Sequence, residues 1–191
     1  MLTVATPVLT ERLVLRSFVP GDLDALHAMQ SDPQVIRYIP WPLRSREQSE
    51  AWIAERRQHH RLAAEGDSVA WAVVRRSDDL LVGSVNLWWR SVEHAQGEIG
   101  FVFTRQAQGH GYAGEATAAL LDVAFEALEL HRISGRADAR NGPSCRLMAR
   151  LGMRREAHLR ENELFKGEWT DTVVYAVLRP EWEGLRQAPT A

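Results

Sequence analysis

Phe101-Val-Phe-Thr-Arg-Gln-Ala-Gln-Gly-His-Gly-Tyr-Ala-Gly-Glu-Ala116 is the stretch on which the fold turns. An alternating apolar run ends at Phe103, a loop with glycines at 109, 111 and 114 follows, and a long amphipathic pattern begins. Exposed N–H groups at a helix start, with glycine allowing close approach, form an anion site, and a phosphate or pyrophosphate is the expected anion. The bland alternative is a structural turn, which does not call for three glycines. The helix is expected over about His110 to Leu130. Positions 113, 117, 120, 121, 124 and 128 form its apolar face, and Asp122, Glu126 and Glu129 its polar face.

Upstream of this stretch lie three strand-like runs, Val69 to Arg75, Leu80 to Trp89 and Glu98 to Phe103. Short polar turns separate them, so they are expected as antiparallel neighbours. Earlier still, Leu9 to Phe18 alternates as a half-buried strand. Pro20-Gly21 breaks it, with Asp22 as a candidate N-cap for a helix carrying Leu23, Leu26 and Met29. Ser45 and Gln48 form a capping box that opens a helix to about Ala64. Downstream, Ile133 to Ala139 reads as a strand. Gly142-Pro143 opens a helix that stops at Gly152. Met153 to Leu164 and Thr172 to Leu178 close the chain as a hairpin around Lys166-Gly167. The order β, α, α, β, β, β, α, β, α, β, β argues for an α+β fold: a mixed, mostly antiparallel sheet flanked by helices. The long helix joining Glu98–Phe103 to Ile133–Ala139 makes those two strands parallel if they are adjacent.

The chain has 191 residues, which suits one domain, read here as residues 1–183 with a tail at 184–191. Its formal net charge of -2 gives no reason to expect nucleic-acid binding. One cysteine, Cys145, precludes an internal disulfide and fits a reducing compartment. No apolar run approaches the ~20 residues of a membrane span, so no membrane association is expected and a cytoplasmic location is. The histidines show no metal-ligand spacing, and no metal is expected.

Gly109-His-Gly111-Tyr-Ala-Gly114 matches the G-x-G-x-x-G dinucleotide pattern, and Asp138 ends the next strand. Yet Thr104 to Gln108 separate the strand from the first glycine, the upstream strands come as hairpins, and too little chain follows Asp138 for further βα units. A P-loop is excluded because no Gly-Lys-Ser/Thr follows. In another frame, Gln106-Ala-Gln-Gly109-His-Gly111 resembles the pyrophosphate loop Gln/Arg-x-x-Gly-x-Gly/Ala of the GNAT superfamily of acyl-CoA N-acyltransferases. Thr10-Glu-Arg-Leu-Val-Leu-Arg16, Leu81-Val-Gly-Ser-Val85, Asn141-Gly-Pro-Ser144, Leu151-Gly-Met153 and Glu181-Trp182 are similar, in order, to the branch that acetylates ribosomal-protein N-termini, the RimJ/RimL type.

That resemblance implies a parallel strand pair that splays apart to admit the pantetheine arm of acetyl-CoA, the acyl-donor substrate. It implies that Gln108, Gly109, His110, Gly111, Tyr112 and Ala113 line the pyrophosphate. Phe101, Val102 and Phe103 would flank the arm, and Asn141 would hydrogen-bond it. The partners implied are a CoA thioester and a primary amine, either a protein N-terminus or a small molecule, and a homodimer is compatible. Direct transfer in a ternary complex is the expected reaction. A non-catalytic CoA-binding module is the alternative, with a dinucleotide-dependent oxidoreductase behind it.

Aminolysis of a thioester needs a neutral amine, so a base helps. Strand alternation puts Ile99, Phe101 and Phe103 on one face and Glu98 with Gly100 on the other, which makes Glu98 the candidate base if the phenylalanines face the core. A solvated or paired carboxylate is the competing reading, and Glu93 and His94 are less well placed. Many GNAT enzymes place a Tyr seven residues after the Asn, where this chain has Met148. The RimJ/RimL-like branch instead has a Ser three residues after it. Here that is Ser144, the candidate partner for the leaving thiolate or a plain helix-start Ser. An oxyanion donor is expected among the N–H groups of Phe101–Phe103, freed by a local irregularity. Trp88 and Trp89 point to opposite sheet faces, so one is core. Trp88 and Trp41 are candidate walls of the acceptor site, with plain packing the competing reading. Tyr175 is a candidate beside them, with core or hydroxyl-tethered packing the reading its place on the last strand favours. Cys145 lacks a placed base and is read as inert.

Overall fold

The structure is a computed structural model that describes residues 2–3 and 7–187. Eight strands form one sheet. In chain order they are β1 (Val8–Leu9), β2 (Leu13–Arg16), β3 (Ser68–Arg75), β4 (Leu80–Ser91), β5 (Gln96–Phe103), β6 (Arg132–Asp138), β7 (Arg154–Phe165) and β8 (Glu168–Leu178). Their order across the sheet is β1-β2-β3-β4-β5-β6-β8-β7. Every neighbouring pair is antiparallel except β5 and β6. The helices are α1 (Leu23–Gln30), α2 (Arg46–Gln58), α3 (Tyr112–Ala127), α4 (Gly142–Arg150) and α5 (Arg179–Gln187). A mixed, mostly antiparallel sheet with one parallel pair and flanking helices is the expected α+β class. Among the described residues only β5 and β6 run parallel, so the run of parallel strands of a doubly wound dinucleotide fold is not formed.

Strand alternation sorts the two faces. Leu13, Leu15, Trp71, Val73, Val85, Leu87, Ile99, Phe103 and Ile133 join Leu120, Leu121, Ala124 and Phe125 of α3 and Leu147 and Met148 of α4 in the main core. On the other face Ala70, Ala72, Val74 and Val102 meet Phe18, Leu26, Met29 and Ile53 in a smaller core under α1 and α2. The thin apolar stripe of α2 limits its burial to Ser49 and Ile53, and Trp52 adds an edge-on contact with Phe18. Its start is the expected capping box: Gln48 N–H donates to Ser45 Oγ at 3.2 Å and Ser45 N–H to Gln48 Oε1 at 2.8 Å.

Three expectations need correction. Asp22 does not cap α1 with its side chain. It is buried and accepts two hydrogen bonds from the Arg16 guanidinium at 2.8 Å and one from Val19 N–H at 2.8 Å. The helix α2 ends at Gln58 rather than near Ala64, and Arg61–Leu62 pair with Leu2–Thr3. Finally, the chain does not close on β8. α5 follows, and Trp182 is buried with its Nε1 donating to Asp122 Oδ1 at 2.9 Å. Arg186 pairs with the same carboxylate at 2.8 Å, so Asp122, expected on the solvent side of α3, ties the last helix down. Residues 184–187, read from the sequence as tail, are the last turn of α5, while 188–191 lie outside the described residues. No helix among the described residues is long and apolar enough to cross a membrane.

Candidate active site

The parallel ladder between β5 and β6 is short. Its pairs are Gln96 with Arg132, Gly97 with Ile133, Glu98 with Ser134 and Ile99 with Gly135. Both strands then run on, β5 to Phe103 and β6 to Asp138, each bonded only to its outer neighbour, β4 or β8. A split therefore opens in the middle of the sheet, with main-chain donors and acceptors along its rims. Thr104 N–H donates to Val82 C=O, opposite it on β4, at 3.0 Å. Antiparallel alternation then turns the N–H and C=O of Phe101 and Phe103 away from β4 and into the split. The Phe103 carbonyl accepts from Gln108 Nε2 at 3.3 Å. These groups face the split because the parallel partner departs, not because β5 is irregular. The β4–β5 register is continuous from Phe103 to Gly97, and its only shift lies between Trp89 and Ser91, which corrects the expected irregularity at Phe101–Phe103.

Beyond the split, residues 104–111 lead into α3. Gly109 (φ 82°) and Gly111 (φ 81°) are both left-handed, where a side chain is strained. Gly111 is the N-cap of α3, so the amides of the helix's first turn are free of intrahelical partners. A Cβ at Gly109 would meet nothing within 4 Å, so the loop's surface there is open. Gln108, Gly109, His110 and Gly111 are exposed, and Tyr112 and Ala113 half-buried. His110 Nδ1 bonds the Gln108 carbonyl at 2.9 Å, and its ring stacks on Tyr112 with centroids 5.7 Å apart.

Glu115, in the first turn of α3, fixes this loop to the rest of the domain. Its Oε1 accepts from Thr10 Oγ1 at 2.6 Å and Arg12 N–H at 2.8 Å, and its Oε2 from Arg12 Nε at 2.7 Å. Arg12 continues to the His110 carbonyl at 2.9 Å, and its guanidinium lies over the Tyr112 ring. Burial pushes the Glu115 carboxyl up, but the bonds from Thr10 and Arg12 outweigh it and leave it below its ordinary range. Glu115 is not among the residues singled out from the sequence. The one signal of its role there is that Thr10 and Arg12 both stand in the opening strand motif.

A cavity of about 330 Å³ penetrates the sheet at the split. It draws on both faces. Asn86, Trp88, Arg90, Glu98, Gly100 and Val102 come from β4 and β5, and Tyr38, Ile39, Pro40 and Trp41 cover them. Arg136 of β6 joins them on the Glu98 face, and from the other side come Phe101, Ala137, the α4 N-cap Asn141 and, on α4, Ser144 and Met148. The residues 36–41 that cover it are held at one end by Lys166, whose Nζ donates to the Ile36 carbonyl at 2.7 Å from the tip of the β7–β8 hairpin. Gly100 admits Trp88: a Cβ there would stand 2.9 Å from the indole's Cζ3.

Glu98, Ser144, Asn141, Phe101, Val102, Trp41 and Trp88 thus meet in one place. Glu98 Oε2 accepts from Arg90 Nε at 3.0 Å, so the candidate base is also an ion-paired carboxylate. Asn141 is the N-cap of α4, its Oδ1 accepting from Ser144 N–H at 3.2 Å, and this orients both residues at the cavity wall. Met148, at the position of the absent Tyr, is buried against Gly135 and lines the cavity with a thioether.

Other residues lie elsewhere. Phe103 packs in the main core and reaches the site through its main chain. Trp89, the core member of the Trp pair, packs against the same core. Tyr175 does not line the cavity. It interacts with Cys145, and burial together with that thiol raises its phenol above the usual range. Burial likewise raises the Cys145 thiol above its ordinary range, which disfavours the thiolate. Glu93 and His94 sit in the β4–β5 turn, away from the cavity. Arg90 and Arg136 join the site without having stood out in the sequence. The signal for Arg90 is its parity with Trp88 on β4, and for Arg136 its parity with Ser134, the partner of Glu98.

Comparison with known proteins bears on this arrangement. Residues 12–154 match the family model described as acetyltransferase (GNAT) domain. The uncharacterized N-acetyltransferase YnaD of Bacillus subtilis is 34% identical over 176 residues, 92% of this chain and 98% of that protein. The [ribosomal protein uS5]-alanine N-acetyltransferase of Escherichia coli is 31% identical over 84 residues, 44% of this chain and 43% of that one. A GNAT-family acetyltransferase from Bacillus anthracis has a crystal structure with a TM-score of 0.79 at 32% identity, covering 91% of this chain and 98% of that one. The chain belongs to the GNAT family of N-acetyltransferases.

Proposed function

We propose that this GNAT-family enzyme moves an acetyl group from acetyl-CoA directly to a primary amine, with both substrates bound together. The observation that carries the proposal is the split. A parallel ladder stops after Ile99 and Gly135, and the strand that leaves it runs straight into a glycine loop at a helix start. An extended amide arm satisfies the open rim of β5 as an added strand would. Its diphosphate lies against the free amides of residues 108–113. Together these two contacts fix the thioester at the cavity between Phe101 and Ser144.

In this reading Glu98 receives the proton of the attacking amine, directly or through water. The Phe101 N–H, turned into the split, supports the charge that grows on the thioester oxygen. The Ser144 hydroxyl hydrogen-bonds the departing sulfur, since Met148 has no proton to offer. Asn141 holds the arm, and Trp88 and Trp41 wall the acceptor. The described residues contain no group of three or more His, Cys, Asp or Glu suited to a metal, and no step of this scheme calls for one.

Release of free thiol from acetyl-CoA on addition of amines tests the proposal, together with the melting temperature in CoA. Binding to the native state alone stabilises by about 2.7 kcal/mol at a hundredfold excess over Kd. A raised Tm and amine-dependent thiol release are expected. A raised Tm with no thiol release from any amine would favour a CoA-binding module without turnover. No response to CoA would defeat both readings.

A further inference from the structure

The acyl-transfer reading leaves the acceptor open, and the charges of the cavity narrow it. Three formal charges line the wall: Arg90, Glu98 and Arg136. They are layered. The Glu98 side chain is 17% exposed, whereas those of Arg90 and Arg136 are 50% and 43% exposed. Negative charge thus lies inside and positive charge at the rim. Among the described residues Arg90 is hydrogen-bonded only through Nε, to Glu98, and its guanidinium lies 5.7 Å from the Trp88 ring centroid. Arg136 is hydrogen-bonded through Nη2, to Glu163 at 3.0 Å, a residue outside the cavity wall.

An incoming ammonium needs Glu98, which Arg90 already holds. A simple monoamine that takes the carboxylate leaves the guanidinium unpaired. A polyamine is worse, because it brings further positive charge against two guanidiniums where the wall offers no second carboxylate. Only an acceptor with its own anion near the amine conserves the pairing: its ammonium replaces Arg90 on Glu98, and its anion takes the released guanidinium. Specificity built on leaving a wrong partner's charges unmatched is a general device. Resting on the acyl-transfer reading, we propose that the acceptor is a primary amine with a carboxylate or phosphonate a few bonds away. Its amine points in toward Glu98 and Trp88, and its anion points out toward Arg90 and Arg136. Such chemistry comes from free amino acids and aminophosphonates or from an acidic peptide N-terminus.

The test uses the full chain, saturating acetyl-CoA and thiol release, with acceptors paired by charge. The pairs are β-alanine against β-alaninamide, 2-aminoethylphosphonate against propylamine, and a tetrapeptide beginning Ala-Asp against one beginning Ala-Asn, with spermidine as the polycation. The expected result is a kcat/KM about tenfold higher for the anionic member of at least one pair, carried mainly by KM and weakened at high salt. In Arg90→Gln that preference should fall to about twofold or less, and Arg136→Gln should reduce it as well. Preference in the small-molecule pairs identifies a free acceptor, and preference confined to the peptides identifies a protein N-terminus. The inference is overturned if amides or spermidine are preferred, or if the preference survives both substitutions. Acetyl-CoA binding by calorimetry without turnover of any anionic acceptor overturns it too. Loss of acetyl-CoA binding would instead sink the acyl-transfer reading on which it rests.

Discussion

Glu115→Gln probes the link between the opening strand and the anion loop. In the native protein one carboxylate accepts three hydrogen bonds, from Thr10 Oγ1, Arg12 N–H and Arg12 Nε. Glutamine keeps an acceptor for the first two. It places an NH₂ group against Arg12 Nε, donor against donor, and it removes the charge. Hydrogen bonds to a charged group contribute about 1.5–3 kcal/mol and neutral ones about half as much. The Arg12 side chain is 45% exposed, so its arm is discounted for solvent screening. The balance is a loss of about 1.5 kcal/mol. For a domain of this size that lowers Tm by roughly 3–6 °C. The pH dependence has a definite sign. The folded carboxyl lies below its unfolded range. Its contribution is therefore fully present above the unfolded value of about 4.3 and is lost as pH falls through the depressed folded value. The gap between wild type and variant should close in acid. Because Arg12 also holds the His110 carbonyl, CoA affinity should weaken as well. Calorimetry of unfolding at several pH values and CoA titration check this. A variant within 1 °C (about 0.3 kcal/mol) of wild type at neutral pH, with unchanged CoA binding, would refute the reasoning.

Three further substitutions separate chemistry, fit and stability. Glu98→Gln should lower kcat by about a hundredfold, in line with loss of a positioned base, while the acetyl-CoA Kd from calorimetry changes little. Gly100→Val puts a side chain where a Cβ already stands 2.9 Å from Trp88; steady-state kinetics should show a raised amine KM with acetyl-CoA binding retained. Trp182→Phe removes the donor to Asp122 and leaves a partly buried carboxylate short of a partner, costing about 1–2 kcal/mol in denaturant titrations.

Local chemistry makes much of this fold legible in the amino-acid sequence. The period-2 runs mark seven of the eight strands of the sheet to within a few residues. The two leading strands read as one because Thr10-Glu11-Arg12 is a tight turn that keeps the polar alternation. The Ser45–Gln48 box and the glycine loop are readable because they are sequential motifs whose geometry is nearly self-contained. Misreadings come where a distant partner decides. Asp22 looks like a cap until Arg16 is beside it. α5 escapes a sequence reading because its burial rests on Trp182 reaching Asp122, sixty residues away. At the site, alternation places Glu98 and Trp88 on one face. The end of the β5–β6 ladder, by contrast, is a property of two strands at once, so the cause of the free Phe101 amide is not visible in either alone. Tyr175 faces Cys145 rather than the cavity because parity on β8 is measured against β6, whose register only the fold supplies.

Central to the proposed reaction is an arm of CoA lying along the open rim of β5 with its diphosphate at the start of α3. Amide hydrogen exchange at single-residue resolution, with and without CoA, measures this directly. The predicted result is new protection at Phe101 and at residues 109–113, with Val102, whose N–H points to β4, unchanged by the ligand. CoA binding that leaves Phe101 and the loop amides exchanging as they do in the free protein would contradict it.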